Sequence, residues 1–405
     1  MYLVTIKFLE VLSRALFVVG TSYSLSLGGA GQFGITATWI GLFAFAFNWE
    51  RQVDIQRRHA GDSDAVFDRA VKVALPFWGF NQVIMMPLFL LVVGGMAKLT
   101  PMQLGLAAVI VSCEHVANQT YQMALISNRY TPFLAIVAAK NVAVLLAVLP
   151  YILFFPSRLT LDYALASWAI GQAVCAVAVF GLWLHRRRPA PVDDGLNGWQ
   201  RVFRQHRASF THFQIGLIAI LALQSDRLII GWLLPIEQTG IYLRHILIVS
   251  FIYQYFNVAS YGRIMPRVFA AAQEEDDAQL FQRVLPEITH VILVVSLAFA
   301  VGICVDVVTG GLITQRYHLS LIYGGVLTLG ALLRVVADFV GMIANARMRE
   351  DVIRRQQLIA FSVGSILLAG GVYRFGIVGA VIATPITSAI YLFLIQRAVR
   401  AFSES

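Results

Sequence analysis

Eleven ionisable side chains stand inside stretches that are otherwise apolar. The basic ones are Lys7, Arg14, Lys140, Arg227, Arg244 and Arg334; the acidic ones are Glu10, Glu114, Asp226, Asp306 and Asp338. A charge at mid-bilayer costs about 2.5–3.5 kcal/mol on insertion scales, so each of these groups needs a partner or a wet cavity. Cations are in slight excess, which suits a chamber for an anionic group. Charge-assisted donors hold phosphate oxygens, and a guanidinium offers them a planar fork. Arg14, Lys140, Arg227, Arg244 and Arg334 are therefore candidate substrate-binding residues. Glu114 and His115, with Asp226 and Asp338, are candidate ion-coupling groups, because perturbed carboxylates and imidazoles titrate within reach of neutral pH.

Each of these residues also has a plainer role to set beside that one. Lys7, Glu10 and Arg14 are spaced to share one helical face, with Lys7 near enough to the membrane edge to snorkel and Glu10–Arg14 placed as an intrahelical pair. Arg334 and Asp338 are four residues apart and can neutralise each other. Neighbours on a helix point about 100° apart, so Asp226 and Arg227 are not expected to face one narrow cavity together. Arg244 is instead expected to reach Asp226 across a helix hairpin. Lys140 has no charged neighbour in its segment and reads as a lone cavity cation. Glu114 and His115 equally suit a buried hydrogen-bonded pair that holds helices together.

The elements that must position these groups follow from composition. Of 405 residues, 58% are hydrophobic and 13% charged, with a mean hydropathy of +0.72. A soluble chain carries about 25% charge, so this one lacks the polar surface to face water all round. Its apolar residues fall into about a dozen blocks of roughly 20, long enough to cross a ~30 Å hydrocarbon core as helices. Backbone amides in lipid must be satisfied within the segment, so these blocks are helical. The expected fold is an all-α polytopic membrane protein. Its spans are read near 5–28, 33–49, 73–96, 102–126, 132–155, 161–184, 209–234, 239–262, 285–308, 320–344, 356–373 and 376–396. The glycines of 28–34 are expected to make a tight turn between the first two.

Orientation follows from Lys and Arg. The loops after every second span and the C-terminal tail hold about 21 of the 31 basic residues, against about 4 in the alternate loops. Arg57, Arg58, Arg186 to Arg188, Arg201, Arg204, Arg207, Arg354 and Arg355 belong to the rich set; Lys98, Arg158, Arg316 and Arg374 form the poor one. Both termini are thus expected on the cytoplasmic side of a cytoplasmic membrane, with the first span retained rather than cleaved as a signal. The net charge of +9 is spread over short loops and is no nucleic-acid footprint. Cys113, Cys175 and Cys304 lie inside apolar spans without metal-ligand spacing and read as small buried hydrophobes.

The longest polar stretch contains Pro189, Pro191 and Asp193-Asp194-Gly195, a linker composition. The expected division is an N-terminal six-helix bundle over 1–184, a linker over 185–208 and a C-terminal six-helix bundle over 209–405. The halves share cues. Phe33-Gly34-Ile35 leads into the second span and Thr239-Gly240-Ile241 into the eighth. Phe67-Asp68-Arg69-Ala70-Val71 closes one polar loop and Phe281-Gln282-Arg283-Val284-Leu285 the other. Units with an even number of spans would be parallel repeats about an axis along the membrane normal. Short Gly turns and loop charge also recur by chance in polytopic proteins.

Leu27-Gly28 followed by Phe33-Gly34-Ile35 resembles the opening of polysaccharide flippases, a family in the multidrug/oligosaccharidyl-lipid/polysaccharide exporter superfamily. The run Gln224-Ser225-Asp226-Arg227-Leu228-Ile229-Ile230-Gly231, then Gly240-Ile241-Tyr242 and Met265-Pro266-Arg267, is similar to the start of that family's second half. Leu332-Leu333-Arg334, Asn345-Ala346-Arg347, Phe375-Gly376-Ile377-Val378-Gly379-Ala380 and Ala383-Thr384 extend the likeness in order and spacing. The resemblance covers most of the chain, and more specifically its C-terminal half. It implies a transporter that flips a polyprenyl-diphosphate-linked oligosaccharide across the cytoplasmic (inner) membrane by alternating access, for cell-surface polysaccharide such as lipopolysaccharide or exopolysaccharide. The implied partners are that lipid-linked oligosaccharide, membrane lipids and polysaccharide polymerase machinery, with no cofactor.

Multidrug and toxin extrusion proteins look similar in span count and repeat, so an ion-coupled small-molecule exporter is the alternative. Exporters of cationic drugs would be expected to place acid in the cavity, against the basic excess here. Peptidoglycan lipid flippases are a further relative, usually with about two more spans than bilayer thickness allows here. A membrane-embedded polysaccharide-assembly enzyme is the remaining class. The outer loops offer only Glu237 and His318 as acid–base groups, with no Gly-rich phosphate loop, metal-spaced His/Cys set or triad, so the expectation is no enzyme.

Overall fold

The computed structural model describes residues 2–49, 64–124, 130–186, 198–256, 260, 262–272, 274–311, 314–315, 318–347 and 350–403. Arg57, Arg58, Arg187, Arg188, Pro189, Pro191, Asp193, Asp194, Gly195 and Arg316 lie outside these. Twelve long α-helices and one short one carry the described chain, with a 3-10 turn at Pro156–Arg158. In chain order they are α1 (Tyr2–Ser24), α2 (Leu27–Asn48), α3 (Asp64–Ala97), α4 (Pro101–Ala124), α5 (Tyr130–Leu153) and α6 (Leu161–Arg186). Then come α7 (Gly198–Leu233), α8 (Ile236–Tyr255), the ten-residue α9 (Gly262–Ala271), α10 (Asp277–Val308), α11 (Leu321–Ala346), α12 (Glu350–Phe375) and α13 (Ile377–Ser403).

Among the described residues, nine helices are long and apolar enough to cross a membrane. The long helices missing from that set are α1, α4 and α8. They carry Lys7, Glu10 and Arg14; Glu114 and His115; and Arg244 and His245. These groups, with neutral polar residues such as Gln103, Asn118 and Gln119 on α4, lower the hydropathy of those helices. An apolar ridge suited to lipid runs along α10, where Leu293, Leu297, Val301 and Val305 repeat every fourth residue and are 64%, 66%, 54% and 44% exposed. A soluble surface does not carry such a ridge. The chain is an all-helical, multi-pass membrane protein.

Two expected turns sit elsewhere. The break between α1 and α2 falls at Leu25–Ser26, where the Ser26 hydroxyl accepts the Gly29 N–H at 3.1 Å and caps α2. The glycines of 28–34 form the first two turns of α2, with Ala30 and Gly31 buried against neighbours. Likewise Pro235 caps α8, and Thr239-Gly240-Ile241 is helical. Glycine permits a turn, but a capping hydroxyl or a proline decides where the helix begins. Of the cysteines only Cys175 is buried; Cys113 is partly exposed and Cys304 exposed. In lipid an exposed thiol meets hydrocarbon, so burial in protein is not required of it.

The chain forms two compact units, Met1–Ile220 and Leu221–Ser405. The first turns of α7 occupy the end of the 185–208 stretch and pack within the first unit. There Gln205 Nε2 donates to Val73 O at 3.3 Å. In unit 1, α4 packs on α2, α3, α5 and α6, and α6 also on α5. In unit 2, α11 packs on α8, α10, α12 and α13, and α13 also on α12. The fourth helix of each six-helix set thus packs on the second, third, fifth and sixth. Unit 2 draws its helices close through glycine: a Cβ on Gly330 would stand 3.1 Å from the Pro385 nitrogen, and Gly379 lies against the carbonyl of Gly371. Without side chains at these points the backbones meet directly.

Candidate functional site

The charged residues of unit 1 converge. α1 presents Lys7, Glu10 and Arg14 along one face; Lys7 Nζ pairs with Glu10 at 2.5 Å, so Glu10 is not the partner of Arg14. Arg14 reaches across to α4 and donates to Glu114 Oε1 at 2.9 Å. The other Glu114 oxygen takes the Gln172 amide from α6 at 3.1 Å. Lys140, on α5, lies within electrostatic reach of Glu114, Arg14 and Glu10. Its stem passes α6 where Gly171 leaves room, 3.7 Å from the position a Cβ would take. Next to it Asn141 donates to the Glu10 carboxylate and backbone carbonyl, both at 3.3 Å.

With Lys7, Arg14 and Lys140 against Glu10 and Glu114, this set of residues carries one positive charge in excess when all are ionised. Its openness is uneven. The Glu114 side chain is 4% exposed, while that of Arg14 is 46% exposed.

Glu114 and His115 do not act as a pair. Adjacent residues diverge on a helix, and His115 turns the other way, fully buried between Phe47 and Trp78. Its Nδ1 lies 3.3 Å from Ala44 O.

In unit 2 a cavity of about 310 Å³ is lined by residues of α7, α8, α11, α12 and α13. Asp226, Arg227 and Arg334 all border it, so the two neighbours on α7 do share one space. The cavity is wide, and Asp226 folds back: its Oδ1 accepts the Arg227 backbone N–H at 2.8 Å and its Oδ2 accepts Tyr242 OH at 2.7 Å. Asp226 therefore serves Tyr242. Arg227 donates to Ser250 Oγ at 2.7 Å. Arg244 is buried, 3% exposed, on α8, and Asp306 on α10 accepts the Thr314 N–H at 3.0 Å. Arg334 and Asp338 pair at 3.2 Å along α11, as their spacing suggests, and the Arg334 guanidinium lies 4.2 Å from the ring centre of Tyr391 on α13. Among the described residues no three His, Cys, Asp or Glu side chains are grouped to hold a metal ion.

Gln172, Asn141, Tyr242, Ser250 and Tyr391 complete these arrangements and escape a reading that follows charge alone. The available signal was a neutral polar group inside an apolar span, which needs a partner there almost as a charge does.

No protein-family model matches the sequence, and no curated protein does. Solved structures do share the fold. The chain superposes on the MATE transporter VcmN of Vibrio cholerae, crystallised as a point mutant, with a TM-score of 0.54 at 13% identity, covering 97% of this chain and 94% of that one. A MATE protein in a bent conformation gives 0.53 at 14% identity, over 99% and 96% of the two chains. The eukaryotic MATE transporter AtDTX14 gives 0.51 at 13%, over 97% and 95%. The likeness spans both units and is one of fold.

Proposed function

We propose that this protein is a membrane transporter working by alternating access, with the polar cluster of unit 1 as its primary contact with cargo or coupling ion. The observation that carries this reading is an ion pair inside apolar helices, the half-exposed Arg14 side chain tied to a buried Glu114. A charge there needs a partner, water or an anion, because bare hydrocarbon would cost it about 2.5–3.5 kcal/mol. The MATE-like fold supports the same conclusion from the backbone side.

Two cargo classes follow from different observations. The solved structures sharing the fold are MATE transporters, which favours an ion-coupled small-molecule exporter and puts that reading ahead. In it Glu114 and Asp226 are the natural carriers of a coupling ion, with Asp338 a further candidate. The positive excess around Arg14 and Lys140, with Arg227 and Arg334 on the unit 2 cavity, favours the second reading, flipping of a polyprenyl-diphosphate-linked oligosaccharide in the cytoplasmic membrane. There the guanidinium forks would hold phosphate oxygens while the lipid tail stays in the bilayer. Polysaccharide polymerase machinery would then be the partner downstream.

One pair of measurements separates the two. A strain lacking the protein is examined for lipid-linked oligosaccharide retained on the inner leaflet, and proteoliposomes are tested for efflux of a cationic dye under an imposed pH gradient. Retained oligosaccharide supports flipping and dye efflux supports the exporter. Neither result, with the protein correctly inserted, removes the transport reading.

A further inference from the structure

We propose that His206 is a proton-operated latch: doubly protonated, it ties the N-terminal end of α7 to α2 and α3, and losing one proton loosens that end. The inference is independent of what the protein carries.

The ring's charge is dictated by what its nitrogens face. Asn81 Nδ2 donates to the Phe47 carbonyl at 2.9 Å. A carbonyl only accepts, which sets the amide orientation and aims Asn81 Oδ1 at His206 Nε2, 2.9 Å away. Nε2 must therefore carry a proton. Nδ1 lies 3.0 Å from the Val202 carbonyl, one turn back on α7, and must carry one too. A ring that donates from both nitrogens is an imidazolium.

His245 provides the internal contrast. Its Nδ1 also faces a carbonyl one turn back, Ile241 O at 2.8 Å, but its Nε2 lies 2.7 Å from the Ser320 backbone nitrogen, whose N–H it accepts. One proton suffices there, and the neutral ring fits.

The surroundings of His206 suit a cation. The rings of Phe77, Trp49 and Phe80 stand 4.6, 5.0 and 5.8 Å from it, within the range of cation–π attraction. The Phe47 carbonyl that fixes Asn81 belongs to the last turn of α2, the negative end of that helix dipole. Trp49 caps α2 with φ at 56°, a left-handed conformation that side chains other than glycine hold only under constraint. The constraints are its indole N–H on the His206 carbonyl at 3.3 Å and a parallel stack on Phe213 at 3.8 Å.

The charged and titratable groups on the elements packed here are these. α2 has none. On α3, Lys72, Arg69, Asp68 and Asp64 precede Phe77 by five, eight, nine and thirteen residues; on α7 itself, Arg201, Arg204, Arg207 and His212 lie within six residues of His206 in sequence. His115 of α4 packs on the far partners Phe47 and Trp78.

If either proton leaves, a lone pair faces another acceptor and the contact turns unfavourable. The latch is thus held at low pH and weakens as pH rises. Because α7 runs through Ile220 and Leu221, where one compact unit gives way to the other, the latch acts on the helix by which the units are joined.

The test uses the full chain in nanodiscs. Ring nitrogen NMR of labelled histidine, with His206→Gln for assignment, reads the charge, and amide exchange over 198–212, corrected for intrinsic rates, reads the latch. His206 should be doubly protonated at about pH 6, and exchange should accelerate about five-fold or more across its titration. In His206→Gln that step should vanish. Asn81→Leu keeps the ring but removes an acceptor, and should move the titration to lower pH. A neutral His206 at about pH 6, a step that survives in His206→Gln, or a titration unmoved by Asn81→Leu would each overturn the latch.

Discussion

Replacing both members of the Arg14–Glu114 pair measures how dry unit 1 is. At 2.9 Å and an effective dielectric of ~20, the gross attraction is roughly 6 kcal/mol. Solvation returns most of that. Exposed pairs retain about 0–1 kcal/mol, whereas breaking a fully buried pair costs about 3–5 kcal/mol. This pair lies between those limits, since Glu114 is 4% exposed and Arg14 46%. The expected coupling in an Arg14→Gln, Glu114→Gln double-mutant cycle is therefore about 2 kcal/mol. It is read from reversible unfolding in mixed micelles at neutral pH. Glu114→Gln alone should also destabilise, because it strands Lys140 beside Arg14, and the second substitution should restore part of the loss. A coupling below about 0.5 kcal/mol would mean that the pair is fully wet, and the argument for a partly buried intramembrane ion pair would fail.

Gly379→Ala should cost several-fold more in thermal stability than Gly370→Ala, because a methyl at the first strikes the Gly371 carbonyl and at the second meets nothing within 4 Å; equal melting temperatures would refute the close α12–α13 approach. Arg347→Ala should open the turn before α10 to protease several-fold faster, since that guanidinium holds Asp277 at 2.9 Å and the carbonyls of Ala272 and Glu275; an unchanged cleavage rate would show the ties to be idle. Cysteines placed at Arg187 and Gln315 should be labelled from opposite sides of the membrane, and labelling from one side would reverse the charge-based orientation.

The helical class and the number of long segments were legible because lipid imposes one rule: apolar side chains outside and every amide satisfied within its segment. The pairing of Arg334 with Asp338 was equally legible, because four residues on one helix bring two side chains together whatever else the fold does. Residues further apart obey no such rule. Arg14 and Glu114 stand 100 residues apart, and only the packing of α1, α4, α5 and α6 selects Glu114 over the nearer Glu10. That same packing brings Lys140 into the group and draws in Gln172, which carries no charge to mark it.

From sequence alone came the solvent, the helices and the positions where charge would need an answer, all local or compositional properties. The tertiary structure decided which answer each charge receives. It gave Asp226 to Tyr242, parted Glu114 from His115, and set two acceptors against His206 but only one against His245. Hydropathy is a property of a segment, whereas a hydrogen bond between helices depends on distances of a few tenths of an ångström that only the packed chain defines.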